Sequence, residues 1–314
     1  VFSYPPFDRH AVFDLRDLKI DSSSDLRYVG AVLKAMLSEG RLKGFEGLRL
    51  RFLRSEEFSA LTGGRDAVDL PAKKGLSSSA ALSVAAAAAV DLLVNRSEGF
   101  GSFDESALTT YASLAYTAEN KVLGINCGQM DQFASAYGGL LFIDCRFEPA
   151  RVERLSARCE MPLVIGDTGQ GKDTPRILAW LGERFRRGEP EFMEGVRGIV
   201  DVVLEARREL SKPNPDLYKL GELMNLNQYY LAKYLKVSGD CPISPNRLDV
   251  LIEAALDAGA LGAKLSGSGG GGAMVALCLP EDVGRVAEAI RRAGGYPYVT
   301  RVAGAGLRVE YFEA

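Results

Sequence analysis

Two carboxylates twelve residues apart, Glu119 and Asp131, flank a short loop that carries Gly124 and Gly128. Moving a phosphoryl group onto an alcohol needs an oriented acceptor and neutralised phosphate charge, and such a pair would satisfy that need. One carboxylate can hold a divalent cation against the phosphate charge, while the other orients the hydroxyl and takes its proton. Asp131 is followed by Gln132-Phe133-Ala134-Ser135-Ala136, so it stands at a helix start rather than within a charged face. Spacing alone is met as simply by Glu119 ending one helix and Asp131 capping the next, and taken by itself it favours that account.

A phosphate seat is written upstream. The run Pro71-Ala72-Lys73-Lys74-Gly75-Leu76-Ser77-Ser78-Ser79-Ala80-Ala81 joins a glycine turn, three hydroxyls and an alanine-rich stretch. Gly75 admits backbone angles closed to other residues. The serines are good N-cap types and the alanines strong helix formers. Such a helix start presents free N–H groups and the positive end of a dipole to an anion, and a serine hydroxyl beside the phosphates can ligate Mg²⁺ through oxygen. An ordinary capped core helix after a turn would read the same way. A third stretch, Gly262-Ala263-Lys264-Leu265-Ser266-Gly267-Ser268-Gly269-Gly270-Gly271-Gly272, can bring bare backbone N–H groups to an anion, or it can be a flexible connection. Thr168, in Asp167-Thr168-Gly169, is poised equally between touching a substrate and closing a strand with a turn.

The elements that must position these groups follow from periodicity. Residues 25–39 have apolar positions at helical spacing behind Ser22 to Ser24, and residues 48–54 alternate as a half-buried strand. Residues 55–70 form a polar connection into the serine run. Helices are expected at 80–93, 106–120, 172–187, 191–210, 217–234, 246–258 and 281–293. Strands are expected at 140–144, 162–167, 273–279, 296–303 and 307–312. The glycine run then lies between a helix and a strand. The order is not a regular βα alternation, so an α+β plan is favoured over a doubly wound sheet.

Composition narrows the function. The chain has 314 residues, 47% apolar, with a net charge of −3. That gives no general drive toward nucleic acid or an anionic membrane, and no basic stripe interleaved with aromatics is present. No apolar run reaches membrane-spanning length. The five cysteines are scattered without a Cys-x-x-Cys pair, which fits a reducing cytoplasm and argues against a zinc site. The sole histidine, His10, argues against a His-dependent triad and receives no role. The chain opens on Val1 rather than Met, and residues are expected to precede it.

The serine run resembles the second motif of the GHMP kinases, Pro-x-x-x-Gly-Leu-x-Ser-Ser-Ala, at every fixed position; Lys73 stands where many members have Gly. Cys127-Gly128-Gln129-Met130-Asp131-Gln132, with Glu119 ahead of it and Phe142-Ile143-Asp144 after it, resembles galactokinases. The glycine run resembles the third motif of the family. Its Ala-Lys-Leu-Ser-Gly-Ser-Gly form, with Gly221-Glu222-Leu223-Met224-Asn225, is closer to mevalonate kinases. The resemblance implies an α+β fold of two domains: residues 1–160, like ribosomal protein S5 domain 2 and lacking its first strands, and a ferredoxin-like domain at 161–314. It implies an ATP-dependent, cytoplasmic small-molecule kinase, with a galactokinase-like sugar kinase ranked first. The alternatives are a mevalonate kinase or a non-catalytic sugar and nucleotide sensor. Carried over, Asp131 is the catalytic base, and Ser79 and Glu119 are Mg²⁺ ligands. Lys74, Gly75, Leu76, Ser77, Ser78, Ser79 and Ala80, with Gly267, Ser268, Gly269 and Gly270, hold ATP. Gly128, Asp131 and Thr168 face the acceptor. No counterpart of the first family motif, a Gly-Glu-His-x-Asp-Tyr-like segment in galactokinases, is found.

Overall fold

A computed structural model describes residues 2–4, 9–11, 13–24, 26–42, 50–61, 64, 76–95, 103–157 and 159–309. Its first half is built around an alanine-rich helix. α1 (Arg27–Ser38) is followed by α2 (Ser55–Leu61), α3 (Ser78–Asn95), α4 (Glu105–Tyr116) and α5 (Met130–Tyr137). α3 is apolar nearly all round, so it buries Ala86, Ala87, Ala88 and Val90 at the centre. Small side chains let α1, α4 and α5 approach it closely. α1 contributes Val29, Val32, Leu33 and Met36 from one face. α4 starts where the Asp104 carboxylate accepts from Ala107 N at 2.7 Å, as an N-cap should. Three short strands stand at the start: β1 (Phe2–Tyr4) pairs antiparallel with β2 (Arg9–Ala11) and parallel with β3 (Leu50–Arg51). β4 (Leu141–Asp144) and β5 (Arg151–Arg154) form an antiparallel pair after α5.

The second half is a four-stranded antiparallel sheet in the order β7-β8-β6-β9, from β6 (Pro162–Asp167), β7 (Gly262–Leu265), β8 (Ala273–Leu277) and β9 (Tyr296–Arg301). Between β6 and β7 run α6 (Thr174–Arg186), α7 (Pro190–Leu210), α8 (Leu217–Tyr230) and α9 (Leu248–Asp257); α10 (Val283–Arg292) joins β8 to β9. This is the β-α-β-β-α-β order of a ferredoxin-like domain, with extra helices inserted in its first crossover. Val164, Ala263, Leu265, Met274 and Ala276 face Leu248, Leu251, Ile252, Ala255, Val286 and Ile290 in one core. The free edge of β7 is completed by side-chain amides on α8. Asn225 accepts from Ala263 N at 2.9 Å, and Gln228 accepts from Leu265 N at 3.0 Å. Edge N–H groups that would otherwise be buried unpaired are thus satisfied.

The observed elements differ from expectation in five places. Residues 55–61 form α2 rather than a polar connection, helped by Glu56 and Glu57 in its first turn. The strand expected over 48–54 is reduced to Leu50–Arg51 in the described residues. Residues 307–309 form no strand beyond a single bridge, and 310–312 lie outside the described residues. The glycine run lies between two strands, since Gly262–Leu265 is β7; an alanine, a glycine and a lysine there give no β-branched signal. The helix expected from Lys172 starts at Thr174, because Asp173 caps it, accepting from Arg176 N at 3.1 Å, with Pro175 in the first turn. No helix among the described residues is long and apolar enough to cross a membrane, and all five cysteines are free thiols.

Candidate active site

The head of α3 and the two carboxylates come together. Ser77 precedes the helix with φ +57°, an uncommon conformation for a non-glycine residue, and its carbonyl accepts from Ala81 N at 3.1 Å. Ser78, Ser79 and Ala80 then form the first turn, whose N–H groups have no partner within the helix. Leu76 is half-buried just ahead of it. Lys74 and Gly75 lie outside the described residues.

Glu119 sits in a π-helical turn, Thr117–Val122, that continues α4. The wider turn is a common device for turning a side chain inward at functional sites. Its carboxylate is 4% exposed. Oε2 accepts from Ser79 Oγ at 3.0 Å and Oε1 accepts from Gln132 Nε2 at 3.0 Å. Burial pushes the Glu119 pKa up, the two donors pull it down, and the nearby Asp131 charge adds to the rise. Among the described residues no basic side chain pairs with this carboxylate. A buried acid held only by neutral donors, touching a serine hydroxyl, is an all-oxygen donor set that suits Mg²⁺ alongside phosphate oxygens. The residues present therefore fit the ion.

Asp131 occupies the first turn of α5 and is exposed, one residue before the buried Gln132. The loop ahead of it is fixed by side-chain amides. Asn120 Nδ2 donates to Cys127 O at 3.1 Å. Gln129 donates to Phe147 O and accepts from Ala150 N, both at 2.9 Å. Gly128 is exposed, and a Cβ there would meet no atom within 4 Å, so open space lies over it beside Asp131.

The glycine loop belongs to the second half, and Lys172 beside it feels the charge of Asp131. Gly267, Gly269, Gly270, Gly271 and Gly272 all have positive φ, from +68° to +120°. The loop is folded rather than slack. Gly270 N donates to Val237 O at 2.7 Å, Gly272 N donates to Gln170 O at 3.3 Å, and Ser244 Oγ donates to Gly270 O at 2.7 Å. The Gly270 N–H is therefore committed internally, whereas those of Gly267, Ser268, Gly269 and Gly271 have no acceptor among the described residues. Thr168 is buried; its Oγ1 donates to Gly272 O at 2.8 Å and accepts from Gln170 N at 3.2 Å. Its hydroxyl thus ties the end of β6 to the glycine loop, as a strand-closing turn would.

The sequence reading missed Lys172. It follows Thr168-Gly169-Gln170-Gly171, its stem lies along the glycine loop, and the charge of Asp131 reaches it. The signal was a Gly-x-Gly-Lys stretch straight after an apolar strand, absorbed into an expected helix. Gln132, which donates to Glu119, was read only as part of a motif.

Known proteins resemble this chain in sequence and fold. A sequence model described as GHMP kinases N terminal domain matches residues 28–139, and one described as GHMP kinases C terminal matches 206–295. The chain is 37% identical over 246 residues to the mevalonate kinase of Pyrococcus horikoshii; the match covers 77% of this chain and 66% of that relative, so only about two thirds of the relative's length is spanned. In fold it is similar to the mevalonate kinase of Methanococcus jannaschii, with TM-score 0.69, 18% identity and coverage of 96% and 84%. It is also similar to the galactokinase of Lactococcus lactis complexed with galactose, with TM-score 0.63, 20% identity and coverage of 94% and 79%. With matched models in both halves of the chain, and Ser79 bonded to Glu119 at the head of α3, the chain belongs to the GHMP kinase family.

Proposed function

We propose that this chain carries out ATP-dependent phosphorylation of a small-molecule hydroxyl, with mevalonate as the acceptor. The observation that carries the reading is the Ser79–Glu119 contact at the head of α3, with an exposed Asp131 near enough for its charge to act on Glu119, and open space over Gly128. The first turn of α3 and the free N–H groups of the glycine loop hold the triphosphate through dipole and hydrogen bonds. Ser79 and Glu119 would hold Mg²⁺, which when bound supplies positive charge against the phosphates. Asp131 orients the acceptor hydroxyl and accepts its proton as the oxygen attacks the γ-phosphorus. The bond between that phosphorus and the β,γ-bridging oxygen breaks, and ADP departs with the electron pair. Chemistry of this kind rests on positioning and charge placement.

Mevalonate takes precedence over a sugar because relatives such as the P. horikoshii enzyme, 37% identical, are mevalonate kinases, whereas the likeness to galactokinase is at 20% identity and speaks for the fold. The sugar reading, ranked first from sequence, keeps one specific support: the Cys127-Gly128-Gln129-Met130-Asp131-Gln132 motif. We further place the boundary between the two domains just ahead of β6, where the apolar clusters of the two halves separate, and the protein in the cytoplasm, which its free thiols suit.

ADP release measured by a coupled assay with mevalonate, galactose and other monosaccharides tests the reading. Turnover is expected with mevalonate and not with galactose. Asp131→Asn is expected to lower kcat by roughly 10²-fold or more while ATP binding persists. Binding of MgATP without ADP release for any acceptor would instead make the chain a sensor.

A further inference from the structure

Lys172 is an ammonium with no partner among the described residues, set along the glycine loop and within reach of the Asp131 charge. Its side chain runs along the loop as a splint. Its Cβ is 3.5 Å from where a Cβ on Gly271 would stand. Its Cδ, Cε and Nζ are 3.6, 3.4 and 3.4 Å from the same point on Gly272, and Nζ is 3.4 Å from that on Gly267. A Cβ at any of these three glycines would stand in van der Waals contact with this lysine, so the stem lies closely along the bare loop. The stem packs where a methionine would serve as well; only the charge at its end lacks a structural reason. Among the described residues, no carboxylate lies within ion-pair distance of Nζ and no acceptor takes its hydrogen bonds. The residue is half-buried. A partly desolvated donor left unpaired is costly unless a ligand completes it.

The surroundings specify that ligand. On one side are the unused N–H groups of Gly267, Ser268, Gly269 and Gly271, which together select an anion. On the other is Asp131, whose charge is close enough to oppose the lowering of the ammonium's pKa by burial. An ammonium between an anion cradle and a proton acceptor stands where negative charge crosses from one to the other.

We propose that Lys172 is a catalytic residue whose ammonium contacts the γ-phosphoryl oxygens of ATP as the phosphoryl group passes from ADP to the acceptor hydroxyl at Asp131. This rests on the function proposed above. The acceptor oxygen forms its bond to the γ-phosphorus, the bond to the bridging oxygen breaks with its electron pair leaving on ADP, and the hydroxyl proton goes to the Asp131 carboxylate. Lys172 stays protonated throughout and offsets charge on the three equatorial oxygens, the place where a fixed donor stabilises the transition state more than the ground state.

The test compares wild type with Lys172→Met and Lys172→Arg, each verified as folded by its melting curve. Turnover is measured with whichever acceptor supports ADP release. Lys172→Met is expected to lose about 10²-fold in kcat with the acceptor KM within about threefold, and Lys172→Arg to recover part of that loss. A purely structural splint would be restored by methionine, so the split between the two variants reads the charge. A second measurement needs no acceptor: titration with Mg²⁺ and either ADP or a non-hydrolysable ATP analogue. Wild type is expected to prefer the γ-phosphate-bearing ligand, and Lys172→Met to lose most of that preference. Should wild type turn over no acceptor, the proposed function fails while this titration still decides Lys172. A kcat for Lys172→Met within about threefold of wild type, or a preference for the ATP analogue that survives in it, overturns the assignment.

Discussion

Gly269→Ala asks how firmly the glycine loop is seated. Gly269 has φ +71°, and an added Cβ would stand 2.2 Å from Val237 O and 2.8 Å from Val237 Cβ. The left-handed conformation costs an L-residue about 1 kcal/mol. No rotamer relieves a Cβ against a backbone oxygen, and Val237 is 1% exposed, so it has little room to move. The loop must lift instead. Lifting breaks the 2.7 Å bond from Gly270 N to Val237 O and strains the 2.7 Å bond from Ser244 Oγ to Gly270 O. Each is worth about 1 kcal/mol. The total is about 3 kcal/mol, or roughly 10²-fold in the equilibrium between seated and lifted loop. Amide hydrogen exchange reads this directly: protection of the Gly270 N–H is expected to fall by ~10²-fold or more, with weaker MgATP binding. Protection at Gly270 within about threefold of wild type would refute the reasoning, since the loop would then owe its shape to something other than its seat on Val237.

Gly128→Ala adds the same methyl where no atom lies within 4 Å; the melting temperature is expected to hold while the acceptor KM rises several-fold, and an unchanged KM would place the acceptor elsewhere. Glu119→Gln keeps a hydrogen-bonding group between Ser79 and Gln132 but removes the buried charge. The apoprotein is expected to melt no lower than wild type at neutral pH, and the Mg²⁺ concentration for half-maximal turnover to rise at least tenfold or so; an unaltered Mg²⁺ dependence would remove Glu119 from the metal site. Lys264, on β7, donates to Leu265 O at 2.8 Å, and burial pushes its pKa down to about 8. Its folded pKa lies below its ordinary value, so the unfolded chain binds more protons between pH ~8 and ~10.5, and stability should rise across that window. Thermal melts of Lys264→Met are expected to lose that rise, and a rise that persists would refute the assignment.

The sequence was most readable where local chemistry dictates local structure. Asp131 at a helix start, the serines opening α3 and the apolar strand β6 all follow from neighbours along the chain. The contact between Ser79 and Glu119 spans forty residues, and spacing could not separate it from two ordinary caps; only the π turn, which rotates Glu119 inward, decides it. β7 was invisible because Gly262-Ala263-Lys264-Leu265 has weak strand propensity, and its place is fixed by pairing to β8 and by the amides of Asn225 and Gln228. Lys172 was hidden because a lysine before Asp-Thr-Pro reads as the start of a helix, and its meaning comes from glycines almost a hundred residues away. The choice between sugar and mevalonate was not legible in those motifs, since the two halves of the chain resembled different members of one family.

Asp131, in the first half, must keep its place relative to Lys172, in the second. The far end of α5 is gripped by residues 303–307, which follow β9. Gly139 N donates to Ala303 O at 2.7 Å and Leu307 N donates to Ala136 O at 2.9 Å. The two backbones meet without side chains, since a Cβ on Gly138 would stand 2.2 Å from Gly306 N and one on Gly306 would stand 2.3 Å from Ala136 O. β9 pairs with β6 along its length, and β6 ends at Asp167, five residues before Lys172. A stiff path of hydrogen-bonded backbone therefore runs from the proposed base to the proposed cation. Gly306→Ala forces that path apart at one point, far from either group. A misplacement of about 1 Å can cost roughly 10²-fold in rate, so kcat is expected to fall by 10-fold or more, while protection of the Gly270 N–H, seated on Val237, stays as in wild type. If kcat is unchanged in Gly306→Ala, the grip on α5 does not set the distance between Asp131 and Lys172, and the two halves must be registered through the packing of Leu140, from the first, against the cluster of Met161, Leu220 and Leu277 in the second.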